Sequence, residues 1–465
     1  MVERKFGFFS KLAFSIGSVP YGVKDSGFTT FLMIYYNQVL GLSALYTGLA
    51  LLIALAVDAI SDPYVGYLSD NWKSKLGRRH PFMYAAILPS ALSYIYIWHP
   101  PQSLSEIQLF FFLVVTAILV RLLITFYEVP NSAMIAELES DYDRRTSLSA
   151  MRLAFGWLGG ITLATIAFIF FLVPNETYEI GQLNKEGYQD FVILAALVMI
   201  IASLISALGT HRFIPQFPAI IESQPRSFAG FWRNITTAFS NHTFRNLFIS
   251  MMFIMLIHGI IISLQVYFAT YFFLITSKQI ALLALSMIPA AILAMLLLPI
   301  LTKGKEKRKV ALTLTVCQMV FANTVIICQM LGILPENDGN LLIVILFINT
   351  LTLTSISIAL QIVFVSMNAD LIEDGQKETG HRSEGLYFAA FSFARKVLSG
   401  LGIFASAILI YISDTSSSPM TESNMGTLAL YYVPLLVLLH LVALIFINRY
   451  DLTRARHEEN LRILK

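Results

Sequence analysis

Two aspartates, Asp58 and Asp62, stand four residues apart in the stretch VDAISDP, inside an apolar run from about Leu45 to Leu68. On a helix, positions i and i+4 share a face, which puts the two carboxylates about 6 Å apart. Like charges at that spacing repel, so the pair calls for a positive charge between or beside it. Two arrangements supply one. The first is a cation site with Asp58 and Asp62 as the ligands, where Na+, Li+ or H+ is the bound ion, since hard cations suit oxygen donors. The second is a structural ion pair with Lys396 or Arg152. Thr125 could add a hydroxyl to the first arrangement.

Other charges share the same surroundings: Lys24 and Asp25, Arg121 and Glu128, Arg152, and the pair Arg395–Lys396. A charge at the centre of a membrane helix costs roughly 2.5–3.5 kcal/mol on insertion scales, so these groups must face one another or water. Arg121, Thr125 and Glu128 fall at i, i+4 and i+7, a polar stripe on an otherwise apolar helix. Lys24, Asp25, Glu128 and Arg152 come from three segments. Carboxylates and a guanidinium can each hold two adjacent hydroxyls, which suits a hydroxyl-rich solute; the same four groups could also form a salt-bridge network between helices. His258 reads as a hydrogen-bonded helix contact, and Cys317 and Cys328, in one apolar segment, as packing residues.

Stepping from these groups to what must hold them, the composition fixes the class. Of 465 residues, 56% are hydrophobic and 13% charged, with a mean hydropathy of +0.69. A soluble domain carries about 25% charged residues. The apolar residues come in blocks near 12–40, 44–69, 82–99, 107–135, 148–174, 189–209, 245–275, 279–302, 310–333, 340–369, 383–413 and 425–448. Each can form a helix of the roughly 20 residues that cross the hydrocarbon. The expected fold is therefore an all-α membrane protein of twelve transmembrane helices. The first block is too long for a cleavable signal peptide. Lysine and arginine cluster at 4–5, 73–79, 303–309 and 454–465, whereas the opposite connections hold only Lys185 and Lys278. The positive-inside rule then puts both termini in the cytoplasm of a multi-pass protein of the cell's inner (plasma) membrane.

The longest internal connection, 210–243, divides the chain into an N-terminal bundle (1–209), a cytoplasmic linker and a C-terminal bundle (244–465). A weak internal repeat agrees with this division: AMIAELESDYDRRTSLSAMR (133–152) is similar to SMNADLIEDGQKETGHRSEGLYF (366–388). Two related six-helix halves around a midplane site are a common transporter plan. The loops at 70–79 and 137–145 carry mixed charge, and Asp70, Arg78 and Arg144 are expected to make gating contacts at the cytoplasmic end. The sequence has no nucleotide-binding glycine loop, metal-ligand cluster or nucleophile–His–acid arrangement, so an enzyme is not expected. The basic loops are accounted for by topology, so a nucleic-acid partner is not expected either.

DAISDPYVGYLSDNWKSKLGRRHPF (58–82), YEVPNSAM (127–134) and ARKVLSG (394–400) resemble motifs of the glycoside–pentoside–hexuronide:cation symporters, the melibiose permease group of the major facilitator superfamily. The resemblance implies two pseudo-symmetric six-helix bundles working by alternating access. It implies that Asp58, Ser61, Asp62 and Thr125 match cation-site positions and that Lys24, Asp25, Glu128 and Arg152 match sugar-site positions. Lys396 matches a coupling lysine and Arg144 a gating arginine. There are departures: Ser61 replaces an amide, Glu128 an aspartate and Ser132 a sugar-stacking tryptophan, and Arg121 stands where a small residue is usual. The motifs KLAFSIGSVPYGV (11–23) and SYIYIW (93–98) also resemble the related lysophospholipid carriers, which lack the adjacent Lys24–Asp25 pair. The implied function is cation-coupled symport of a sugar or glycoside, with a lysolipid or other amphiphile as the alternative solute and a transport-dead sensor or lipid scramblase as a third reading. The implied partners are that solute, a monovalent cation and the bilayer, with no further cofactor and a monomeric carrier.

Overall fold

The computed structural model describes residues 6–139, 141–214, 239, 241–336, 340–379, 384–413 and 420–456, and every regular element among them is helical. The basic pair at 4–5, linker residues 215–238, repeat residues 380–383, the acidic connection at 414–419 and the tail from 457 lie outside the described residues. The helices are α1 (Phe8–Ile16), α2 (Val19–Ser26), α3 (Leu32–Ile34), α4 (Ala44–Asn71), α5 (His80–Ile97), α6 (Glu106–Ala133), α7 (Ile135–Leu138), α8 (Tyr142–Ile166), α9 (Lys185–His211) and α10 (His242–Tyr267). They continue as α11 (Ser277–Leu285), α12 (Met287–Thr302), α13 (Lys307–Met330), α14 (Asn340–Thr379), α15 (Glu384–Ser413) and α16 (Glu422–Asn448).

Among the described residues, ten helices are long and apolar enough to cross a membrane. Two of the apolar blocks behave differently. The block near 82–99 is the 18-residue helix α5, which begins on the basic loop at His80. The first block is not one rod. It breaks at Gly17 and Ser18, where Pro20 opens α2, because proline lacks the amide proton and is best accommodated in the first turn of a helix. It is then loosened by π-helical turns at Gly27–Phe31 and Tyr35–Val39. Such turns occur most often at functional sites, and the first of them follows directly on Lys24 and Asp25.

The helices fall into two compact units: the first holds α1 to α9 with residues 276–284, and the second holds the remaining helices. In the first, α4 and α5 both pack on α6, and α2 packs on α8. That last crossing is backbone against backbone, since a Cβ added at Gly22 would overlap the carbonyl of Gly156. It brings the start of α8, with Arg152, against the helix that carries Lys24. At the end of this unit away from the basic loops, the ring of Trp98 stacks on Tyr188 at 5.7 Å, and the hydroxyls of Tyr35 and Tyr36 donate to the carbonyls of Trp98 and Ile97.

In the second unit, α10 packs on α15 and α16, while α13 lies between α14 and α16. The α10–α15 crossing repeats the glycine device, because a Cβ at Gly402 would overlap the carbonyl of Leu256. Each unit therefore contains such a close backbone approach, as small residues commonly allow in membranes. Overpacking such a contact costs about 1–3 kcal/mol or more. We therefore expect Gly22→Ala and Gly402→Ala to lower the melting temperature of the detergent-purified protein. Gly426→Ala adds its methyl to open space and should leave stability unchanged or raise it by up to about 1 kcal/mol. Equal melting of all three would contradict the backbone contacts.

Candidate functional site

Helices α4 and α6 lie side by side, and their facing polar residues meet. The Thr125 hydroxyl lies 3.1 Å from Asp58 Oδ1 and 3.2 Å from Asp62 Oδ1. A hydroxyl has one proton, so Thr125 donates to one carboxylate at a time and ties the two together. On the other side of Asp58, Arg121 Nη1 donates to Oδ2 at 3.3 Å, with both side chains only 4% exposed. The Arg121 guanidinium also lies 4.7 Å from the ring centroid of Phe28, in the π-helical turn after α2. Ser61 is buried, and its hydroxyl turns back to donate to the Asp58 backbone carbonyl at 3.1 Å. Pro63 sits inside α4. It has no amide proton, so it leaves the carbonyl of Ala59 without its intrahelical donor, beside the two aspartates.

One turn further along α6, Glu128 Oε1 accepts from Arg152 Nη2 at 2.5 Å. Arg152 is buried, and its backbone carbonyl accepts from the Ser18 hydroxyl at the start of α2. Lys24 is 1% exposed, and its ammonium lies 4.2 Å from the Tyr21 ring and 3.8 Å from Asp25 Oδ1. Asp25 itself is half-exposed. The charges of Lys24 and Asp62 both act on Glu128. The two groups read separately along the sequence are thus consecutive parts of one polar stripe, with α6 as its spine. The aspartate pair forms one end, and Lys24, Asp25, Glu128 and Arg152 form the other. Ser132 spends its hydroxyl on the carbonyl of Val129, at 3.0 Å.

The structural alternative expected for the aspartate pair is an ion pair with Lys396 or Arg152. Arg152 pairs with Glu128 instead, and the arginine on Asp58 is Arg121. Lys396 lies on α15 in the second unit and is half-buried. Arg121, Phe28 and the bridging geometry of Thr125 were not part of the predicted set. The i, i+4 relation of Arg121 to Thr125 was the available signal.

At the basic loop, Arg78 pairs with Glu137 of α7. Arg79 Nη2 lies 3.1 Å from both Asp70 and Glu137, so the partner of Asp70 is Arg79. Lys11 reaches Glu139 at 2.9 Å. Arg144 contributes its backbone amide to Asp141 Oδ1 at 2.9 Å, and its side chain is exposed. These contacts clamp α1, α4, α5 and α7 together within the first unit.

The model of the family described as MFS/sugar transport protein matches residues 13–454. A protein of Synechocystis sp. described as an uncharacterized symporter is 30% identical over 211 residues, 44% of this chain and 37% of that protein. The putative glycoside/cation symporter YagG of Escherichia coli is 23% identical over 449 residues, 95% of this chain and 92% of that one. The sodium-dependent lysophosphatidylcholine symporter 1 of Gallus gallus is 31% identical over 153 residues, 33% of this chain and 29% of that one. Among solved structures, nucleoside transporter NupG superposes with a TM-score of 0.65 at 15% identity, covering 94% of this chain and 99% of that one. The inward open xylose transporter XylE of E. coli gives 0.64 at 13% identity, covering 98% of each chain. The two structures establish the major facilitator fold.

Breaking one side of a buried pair leaves an uncompensated charge and costs about 3–5 kcal/mol, while replacing both partners costs less. We expect Arg152→Gln and Glu128→Gln each to lower the melting temperature more than the double variant does. Additive losses in that cycle would mean that the two side chains are not coupled.

Proposed function

The chain belongs to the MFS/sugar transport protein family, and on that premise we propose that it is a secondary active symporter of a hydroxyl-rich, glycoside-type solute with a monovalent cation. The observation that carries this reading is the single stripe on α6. Thr125 touches both aspartates of the cation end, and Glu128, one turn on, holds Arg152 at the solute end. In the proposed cycle, a cation bound at Asp58, Asp62 and Thr125, with Ser61 beside them, fixes the position of α4 against α6. That stabilises the arrangement in which Lys24, Asp25, Glu128 and Arg152 receive the solute. Solute then tightens the ion site by the same factor, since coupling between two sites is reciprocal.

The energy is adequate for accumulation. A potential of about 100 mV supplies roughly 2.3 kcal/mol per charge, and a tenfold ion gradient adds about 1.4 kcal/mol. Together these concentrate a neutral solute several-hundredfold per ion. In this reading Asp70, Arg78 and Arg144 bias the cytoplasmic gate. Basic connections on one side put both termini in the cytoplasm.

A second solute class has its own support, because the chicken relative is described as a lysophosphatidylcholine symporter. The half-exposed carboxylate of Asp25 favours a ligand with vicinal hydroxyls, two of which it can accept from at once. Counterflow in proteoliposomes, with a panel of labelled glycosides against fluorescent lysolipids, decides between them. We expect glycoside counterflow, and uphill accumulation under at least one of three imposed gradients, sodium, lithium or proton. Lysolipid uptake alone would replace the solute class, and movement without accumulation under any gradient would exclude symport. Asp25→Asn should remain folded and bind the identified glycoside at least about 30-fold more weakly, as truncating a charge that bound solute covers costs about 2–5 kcal/mol. Unchanged affinity by calorimetry would remove Asp25 from the solute site.

A further inference from the structure

Resting on the reading that this chain couples its solute to a monovalent cation, we infer that Arg121 sets which cation is accepted. Its guanidinium is a resident counter-ion of Asp58 that keeps sodium and lithium from binding between the two aspartates. Both oxygens of Asp58 already accept from donors, Oδ2 from Arg121 at 3.3 Å and Oδ1 from Thr125 at 3.1 Å. The nearby Ser61 hydroxyl is directed to the Asp58 backbone carbonyl. An alkali ion seated between Asp58 and Asp62 would draw on these same oxygens, and would lie one carboxylate away from a fixed positive charge.

Arg121 cannot relieve that conflict. A guanidinium does not lose its proton in a protein. Its side chain is 4% exposed, and one face is covered by the Phe28 ring at 4.7 Å, which favours the cation where it stands. A like charge at this range weakens a neighbouring cation's equilibrium by about ten- to a thousandfold. Phe28 also gives the pair a route to the solute end, because its π-helical turn continues from the helix that holds Lys24 and Asp25.

The test uses the purified full chain in detergent, titrated with sodium chloride or lithium chloride against choline chloride at matched ionic strength, with melting temperature as readout. The parent should show no stabilisation specific to sodium or lithium. Arg121→Gly should gain one, with apparent sodium affinity at least about tenfold tighter than the parent's. Arg121→Lys keeps the charge and should behave as the parent, and Asp58→Asn in the Arg121→Gly background should abolish the gained response. Should Arg121→Gly fail to fold, Arg121→Gln is neutral at similar length and serves in its place. A parent stabilised by sodium as strongly as the neutral variants overturns the inference, as does a complete lack of sodium response in both neutral variants. Failure of the symport reading looks different: the sodium response would appear in the variants while the parent accumulates no solute under any ion gradient.

Discussion

A charge placed among apolar helices has to be answered by another within a few ångströms, and in the first unit α6 supplies the answers. Arg121 meets Asp58, Thr125 ties Asp58 to Asp62, and Glu128 meets Arg152. These contacts fix the rotation of α6, since a turn of the helix about its axis would leave several charges unmatched at once. They also fix the neighbours. Helix α4 must present its aspartates to α6, and α8 must bring Arg152 close to it, which the glycine crossing between α2 and α8 permits. Lys24 and Phe28, four residues apart and so close to one face of their segment, approach α6 from the same stretch of chain.

Much of this was open to reading in advance, because lipid makes severe demands. A span needs about 20 apolar residues, so the blocks marked most helices to within a few residues, although α8 begins at Tyr142, ahead of the block at 148, and α14 runs to Thr379, past the block's end at 369; a charge inside a block had to be doing something. The i, i+4 and i, i+3 relations placed Asp58 with Asp62 and Thr125 with Glu128. What could not be read was which charge on one helix meets which on another. That depends on helix rotation and on side-chain reach. Asp58 takes Arg121, which the sequence placed on the polar stripe of its own helix and marked as a departure from the resembling family, without showing its partner. In the loop after α4, Asp70 takes Arg79 and leaves Arg78 to Glu137. Both arginines converge on Glu137 and Arg79 also reaches Asp70, so one residue of register decides the partner of Asp70. The break at Gly17 was legible in principle from Pro20 but was hidden by the uniform apolarity of the block.

Joining the two ends of the stripe on one helix has a mechanical consequence. An ion that changes the charge around Asp58 and Asp62 alters the forces on Thr125, and any shift of α6 is felt at Glu128 on the next turn. Coupling therefore needs no long relay. This favours a transporter over a static salt-bridge framework, in which nothing would require ion and solute groups to share an element. In the proposed function the stripe also separates two tasks: Arg152 with Glu128 would bear on stability and solute affinity together, whereas Asp62, partly exposed, would exchange its ion without exposing the buried Arg121–Asp58 pair.

The central claim is that the aspartate end of the stripe couples movement of solute to movement of a cation. It is tested most directly by comparing accumulation with exchange in proteoliposomes of the parent and of Asp62→Asn, using one transported glycoside and an imposed cation gradient. The account predicts that the parent concentrates the solute against its gradient, and that Asp62→Asn loses this while still exchanging labelled for unlabelled solute. An Asp62→Asn carrier that concentrates solute as well as the parent would contradict it.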